Sequence, residues 1–206
     1  MKEGDSMLFD LNDVTKRSNV TGNELEKAVD GITKNNNFHG LGNYFVEAEK
    51  KYSVNAVILT AMCCNESKFV TSELAKTKNN LFGIGARDEL KGTSEYGNSY
   101  ISKKDSIFEA AHRIGCQYLK RDSKASWRYL GGAKDWKSVR SKWSTSKDYN
   151  SKIANLAERL EKEIYKSRNK NDYKELYEKE KEKNKVLEKT LEEIKEMIEG
   201  IKNDMA

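Results

Sequence analysis

Proline is absent from all 206 residues, histidine occurs twice and cysteine three times. Without proline the chain has no residue that stops or kinks a helix outright, so helix ends must be written by capping side chains and by glycine. His39 and His112 stand far apart, and nothing in the chain has metal-ligand spacing. A zinc centre, a Cys–His nucleophile or a cofactor is therefore not expected. Cys63, Cys64 and Cys116 are an odd set, and two of them are adjacent in an apolar stretch. That predicts buried free thiols, as in a protein made in a reducing compartment. Long apolar runs are missing too: none approaches the roughly 20 residues of a membrane span. Met1 to Ser6 lack the hydrophobic stretch of a secretory signal, so a cytoplasmic origin with some other route of delivery is expected.

Charge is plentiful, at 34% of residues, with a net value of +5. It is unevenly placed. From Lys166 onward there are 11 basic and 11 acidic residues, against 27 basic and 22 acidic before it. The excess suits an anionic polymer as partner. With no dense basic run and no reading motif, nucleic acid is not expected.

The patterning is mostly helical. Residues 1–18 read as a loosely ordered arm in which Leu8, Phe9, Leu11 and Val14 can dock. Thr21-Gly22-Asn23-Glu24 reads as a capping box opening a helix to about Ile32, which Asn35-Asn36-Asn37 breaks. Leu41, Tyr44, Phe45, Ala48 and Tyr52 keep helical spacing, and Ser53 is the expected cap of the next helix. In that helix Val54, Val57, Ile58, Ala61 and Met62 recur on one face, and Glu66 follows Met62 by four residues. A carboxylate is thus aimed inward near a helix C-terminus, where burial and the helix dipole both raise its pKa, as a general acid requires. Ser102 to Asp105 mark another helix start, with a stripe from Ile107 to Tyr118, and Ile153, Leu156, Ala157, Leu160 and Ile164 give a packing helix. Between Arg87 and Lys103 glycine, serine and threonine dominate, which predicts a small β-hairpin or flap. Trp127, Trp136 and Trp143 follow, at most one of them for substrate.

From Tyr173 a seven-residue pattern sets in: Tyr173, Tyr177, Glu180, Asn184, Leu187, Leu191, Ile194, Ile198 and Ile201 alternate in steps of four and three. This predicts a coiled-coil seam of about four heptads, hence a homo-oligomer or docking on a partner helix. The expected domains are the arm 1–18, a catalytic domain 19–165 and a coiled-coil helix 166–206.

Asn65-Glu66-Ser67-Lys68-Phe69, followed after a short gap by Asn79-Asn80-Leu81-Phe82-Gly83-Ile84, resembles the signature of the bacterial glucosaminidase domain, glycoside hydrolase family 73, within the lysozyme-like superfamily. The resemblance runs from about residue 40 to 165. It implies a mainly α, lysozyme-like domain carrying the flap, and a hydrolase that cleaves the β-1,4 bond after N-acetylglucosamine in peptidoglycan. By position the general acid falls on Glu66, and Glu95 with Tyr96 matches a second acidic residue and its aromatic neighbour on the flap. Trp143 to Tyr149 resembles the closing motif, in which the tyrosine faces the cleft and orients the acid or the acetamido group. Trp143 stands where a tyrosine is frequent, and the usual proline is missing. Asn79, Asn80, Phe82, Tyr96, Trp143 and Tyr149 are the expected substrate contacts. Related folds include muramidases and lytic transglycosylases. A different alternative is a catalytically idle, oligomeric wall-binding module. The architecture suggests a phage-type lysin or a wall hydrolase carried by a tail or secretion machine.

Overall fold

The computed structural model describes residues 8–121 and 124–204, the last helix from residue 170 onward mostly by its backbone. Two compact units are present, Met1–Tyr165 and Lys166–Ala206. The first contains α1 (Gly22–Thr33), α2 (Gly42–Tyr52), α3 (Ala56–Ser67), the short α4 (Glu73–Thr77), α5 (Lys103–His112) with a π-helical turn Arg113–Tyr118, α6 (Trp136–Trp143) and the start of α7 (Tyr149–Asp204). No strand occurs among the described residues, and no helix there is long and apolar enough to cross a membrane.

Helix α3 is the hub. Ten of its twelve residues are buried, and apolar side chains surround its axis, the pattern of a helix enclosed by others. Its cap is Asn55, whose side-chain Oδ1 accepts from the Val57 and Ile58 amides at 3.0 and 3.1 Å. Ser53, the expected cap, instead ends α2 in a left-handed conformation (φ 55°), its amide donating to the Glu49 carbonyl. Both residue types cap well, and tertiary bonds decide between them. The Asn55 amide also donates to the Leu8 and Lys16 carbonyls at 2.9 and 2.8 Å. The capping boxes at Thr21 and Ser102 are present as expected.

Residues 8–18, expected to be loose, form a strap across this core. Leu8, Phe9, Val14 and Ser18 are buried. Val14 pairs through its amide with Lys134 and through its carbonyl with Asn55, and Leu11 accepts from the Trp136 amide at 2.7 Å. The buried Glu49 carboxylate accepts from the Ser18 and Ala56 amides, both at 2.9 Å, tying strap, α2 and α3 together. Residues 1–7 of the expected arm lie outside the described residues.

The expected hairpin is also different. Residues 87–101 fold as a 3-10 turn (Asp88–Leu90) and successive tight turns. The ammonium of Lys78 donates to the Ser94, Tyr96 and Gly97 carbonyls at 2.6, 2.9 and 3.1 Å. Strand pairing needs alternating apolar residues, and this stretch supplies turn formers whose carbonyls one cation gathers instead.

The thiols are free, and burial pushes Cys63 up to about 12, leaving it inert at neutral pH. The π turn Arg113–Tyr118 packs against the end of α2 at Gly115, where an added Cβ would lie 2.1 Å from the Tyr52 carbonyl oxygen. The expected result for Gly115→Ala is a loss of about 1–3 kcal/mol of stability, read by denaturant unfolding, since the backbones must separate.

Candidate active site

The floor of the site is the last turn of α3. Lys68, Phe69 and Val70 all have positive φ (51°, 57° and 65°), so the chain reverses there at a conformational cost of about 1–3 kcal/mol for each such residue. Ser67 holds the reversal: its hydroxyl donates to the Cys63 carbonyl at 2.6 Å and accepts from the Val70 amide at 2.8 Å. The chain then returns over Glu66 as the Asn79–Ile84 loop. Gly83 (φ 63°) sits so close that a Cβ there would lie 3.7 Å from the Glu66 Oε2, and glycine keeps the carboxylate uncovered.

Glu66 opens into a cleft of about 300 Å³. Phe82, Tyr118, Trp127 and Trp143 supply its rings, and Arg113, Arg128 and Lys142 its positive charge. Phe82 and Tyr118 meet Trp143 edge to face, with centroids 6.2 and 6.4 Å apart. Trp136, by contrast, is buried and stacks on Tyr149 at 6.0 Å. Two tryptophans, Trp127 and Trp143, therefore line the cleft.

Burial raises the pKa of Glu66 above the ordinary glutamate value, and the neighbouring donor groups of Tyr149 and then Trp143 act in the other direction. The Tyr149 hydroxyl completes no hydrogen bond of ordinary geometry. Its own pKa is driven far up by burial and by the neighbouring carboxylate, so it remains a donor. Glu66 thus has apolar surroundings that favour its protonated form and one tyrosine able to donate once it ionises.

The other expected residues divide. Phe82 and Trp143 line the cleft and Tyr149 stands beside the acid. Asn80 is only 1% exposed, and its amide is bonded entirely to backbone of residues 82, 84 and 98. Asn79 donates to the Tyr100 and Ile101 carbonyls. These amides shape the wall of the cleft instead of facing into it. Glu95 is exposed on the turn segment, and neither it nor Tyr96 lines the cleft. Glu66 is the one carboxylate among the described lining residues.

Tyr118 and the three cations were not picked out as site residues from sequence. Arg113 and Tyr118 are five apart, which in an α-helix, at about 100° per residue, would set them some 140° from each other. The π turn, with the Leu119 amide bonded to the Ile114 carbonyl five residues back, brings both to the same cleft.

A helical scaffold with one carboxyl among the described lining residues of an aromatic cleft is the arrangement of a lysozyme-like domain. The chain belongs to the glucosaminidase family, whose model (mannosyl-glycoprotein endo-beta-N-acetylglucosaminidase) matches residues 42–162. It is 40% identical over 81 residues to a putative endo-beta-N-acetylglucosaminidase of Streptococcus pneumoniae, an alignment covering 39% of this chain and 12% of that relative. A second strain of the species carries a relative with the same figures. The chain thus spans only a small part of the curated relatives' length. Its fold is similar to S. aureus autolysin E, seen as a catalytic mutant in complex with the disaccharide NAG-NAM (TM-score 0.55, 22% identity, 78% of this chain and 74% of that one). The complex of autolysin E with the muropeptide NAM-L-ALA-D-iGLU gives the same figures.

Proposed function

We propose that the protein hydrolyses the glycan strand of peptidoglycan at the β-1,4 bond after N-acetylglucosamine. The observation that carries this reading is the half-buried Glu66 carboxyl, its pKa raised, at the floor of an aromatic cleft in a chain of the glucosaminidase family. Glu66 protonates the leaving oxygen while positive charge develops on the sugar. Tyr149 donates to the carboxylate left behind, and Trp143 and Phe82 pack against the sugar faces. With Glu95 outside the cleft lining, the reading favours assistance by the substrate's own acetamido group over a second carboxylate. Mass spectrometry of muropeptides after borohydride reduction tests the bond. A reduced N-acetylglucosamine end supports the proposal, a reduced N-acetylmuramic acid end makes the protein a muramidase, and an anhydro end makes it a lytic transglycosylase.

The tail carries the second part of the proposal, self-association. Leu187, Leu191 and Ile194 are 57%, 54% and 42% exposed on α7, in steps of four and three. The side chains of Tyr173, Tyr177, Glu180, Asn184, Ile198 and Ile201 lie outside the described residues. An aliphatic seam in water gains by pairing with its own copy. Sedimentation of the full chain is expected to show an oligomer, and of Leu187→Lys/Leu191→Lys/Ile194→Lys a monomer. Equal masses for the two would overturn the seam.

A further inference from the structure

The cations of the cleft have no part in the proton transfer assigned to Glu66. Arg113 is bonded to Glu109 at 2.7 Å. Arg128 and Lys142 have no carboxylate partner among the described residues, and neutral groups hold both in place. Arg128 Nη1 donates to the Gln117 side-chain oxygen at 2.5 Å, and its guanidinium lies 4.5 Å from the centre of the Trp127 ring. Lys142 Nζ donates to the Trp127 carbonyl at 3.2 Å. Neutral partners orient a guanidinium without cancelling its charge, and the remaining N–H groups stay available for a planar anion.

Their placement relative to the acid matters as much as their charge. Both arginines act on the Tyr118 hydroxyl, where they oppose the effect of burial. No cation is among the causes that shift Glu66. The cations of the cleft thus do not offset the burial that favours the protonated Glu66 carboxyl, and an anion bound to them would favour that form further.

We propose that Arg128 and Lys142, backed by Arg113, form an anion subsite that binds a carboxylate of the glycan strand beside the bond to be cut, selecting carboxylate-bearing over neutral strands. The inference rests on the wall-hydrolase reading. Two carboxylates have the required chemistry: the lactyl group of N-acetylmuramic acid where it is free, and those of the stem peptide where the lactyl group is amidated to it. Either makes paired, charge-assisted hydrogen bonds to a guanidinium.

The test crosses a charge on the protein with a charge on the strand. The full chain and Arg128→Gln are assayed for kcat/KM on peptide-free strands, on the same strands with lactyl carboxylates converted to methylamides, and on uncrosslinked peptide-bearing strands. The wild type is expected to lose about tenfold on amidation, and Arg128→Gln to be lowered by a similar factor on native strands with no further loss on amidated ones. An Arg128→Gln defect on peptide-free strands assigns the lactyl carboxylate, and one confined to peptide-bearing strands assigns the peptide. Equal fold-losses on amidation for both chains, together with an unchanged rate of Arg128→Gln on peptide-bearing strands, would overturn the subsite. The same cycle, read as Kd with Glu66→Gln chains, does not depend on turnover. Charge-coupled binding with no product from the wild type would uphold the subsite and overturn the hydrolase reading.

Discussion

Glu66→Gln is expected to lower wall clearing about a thousandfold, equivalent to some 4 kcal/mol of transition-state stabilisation. The amide keeps the size and the hydrogen-bonding edge of the carboxyl, so the cleft remains, but it has no proton to give to the leaving oxygen. Turbidity loss of a cell-wall suspension measures the rate, and circular dichroism establishes that the helices are intact. A folded variant that keeps about a tenth or more of the wild-type rate would move the acid role to another residue.

The same substitution has a stability consequence of fixed sign. Burial places the folded pKa of Glu66 above its unfolded value. The folded state then binds the proton more tightly, and its contribution is fully present below the unfolded pKa and is lost as pH rises through the folded one. Above that point wild type carries a buried, poorly solvated charge that Glu66→Gln does not. The variant is expected to melt above wild type at neutral pH and with it at low pH. The alkaline limb of the wild-type rate profile is expected to follow the same raised pKa, since only the protonated acid reacts. Lower stability at neutral pH, coupled with activity, is a trade that recessed catalytic groups commonly make.

What could be read from the chain in advance was whatever depends on local chemistry. Thr21 with Glu24 and Ser102 with Asp105 are reciprocal caps whose geometry follows from spacing alone. Glu66 was legible because four residues return a helix to the same face, and Met62 is fully buried. The contest between Ser53 and Asn55 was not legible, since the deciding bonds come from residues 8 and 16, far off in sequence. The stretch between Arg87 and Lys103 reads as a small β-hairpin or flap because glycine, serine and threonine mark turns of every kind, and Lys78 gives no sign in the sequence that it gathers three carbonyls. Arg113, Arg128 and Lys142 are scattered over thirty positions, and a π turn with no clear sequence mark aligns the first of them with Tyr118. An asparagine beside a cleft motif reads equally as scaffold or ligand contact until its neighbours are known.

Asn80→Ala decides between those two roles, and a large loss of stability is expected. The side chain is 1% exposed; its Nδ2 donates to the Ile84 and Asn98 carbonyls, each at 2.9 Å, and its Oδ1 accepts from the Phe82 and Ile84 amides at 3.3 and 3.2 Å. Alanine leaves the buried Phe82 and Ile84 amides without this acceptor, and the Ile84 carbonyl keeps only the Asn98 amide, at about 1–3 kcal/mol for each group that cannot re-pair. Allowing for partial relaxation, a loss of about 3–4 kcal/mol is expected, or roughly 6–16 °C in the unfolding midpoint of a chain this size. Because the same bonds hold Phe82 and Gly83 over Glu66, kcat is expected to fall even at temperatures where the variant remains folded. Asn80→Asp separates the halves of the network: a carboxylate still accepts from the two amides but faces two carbonyls with nothing to donate. Burial and those carbonyls raise the pKa of the new carboxyl, so its stability is expected to recover on acidification, when the protonated form regains a donor. A residue that only touched ligand would raise KM and leave the melting midpoint of both variants where it was, and that outcome would return Asn80 to the substrate.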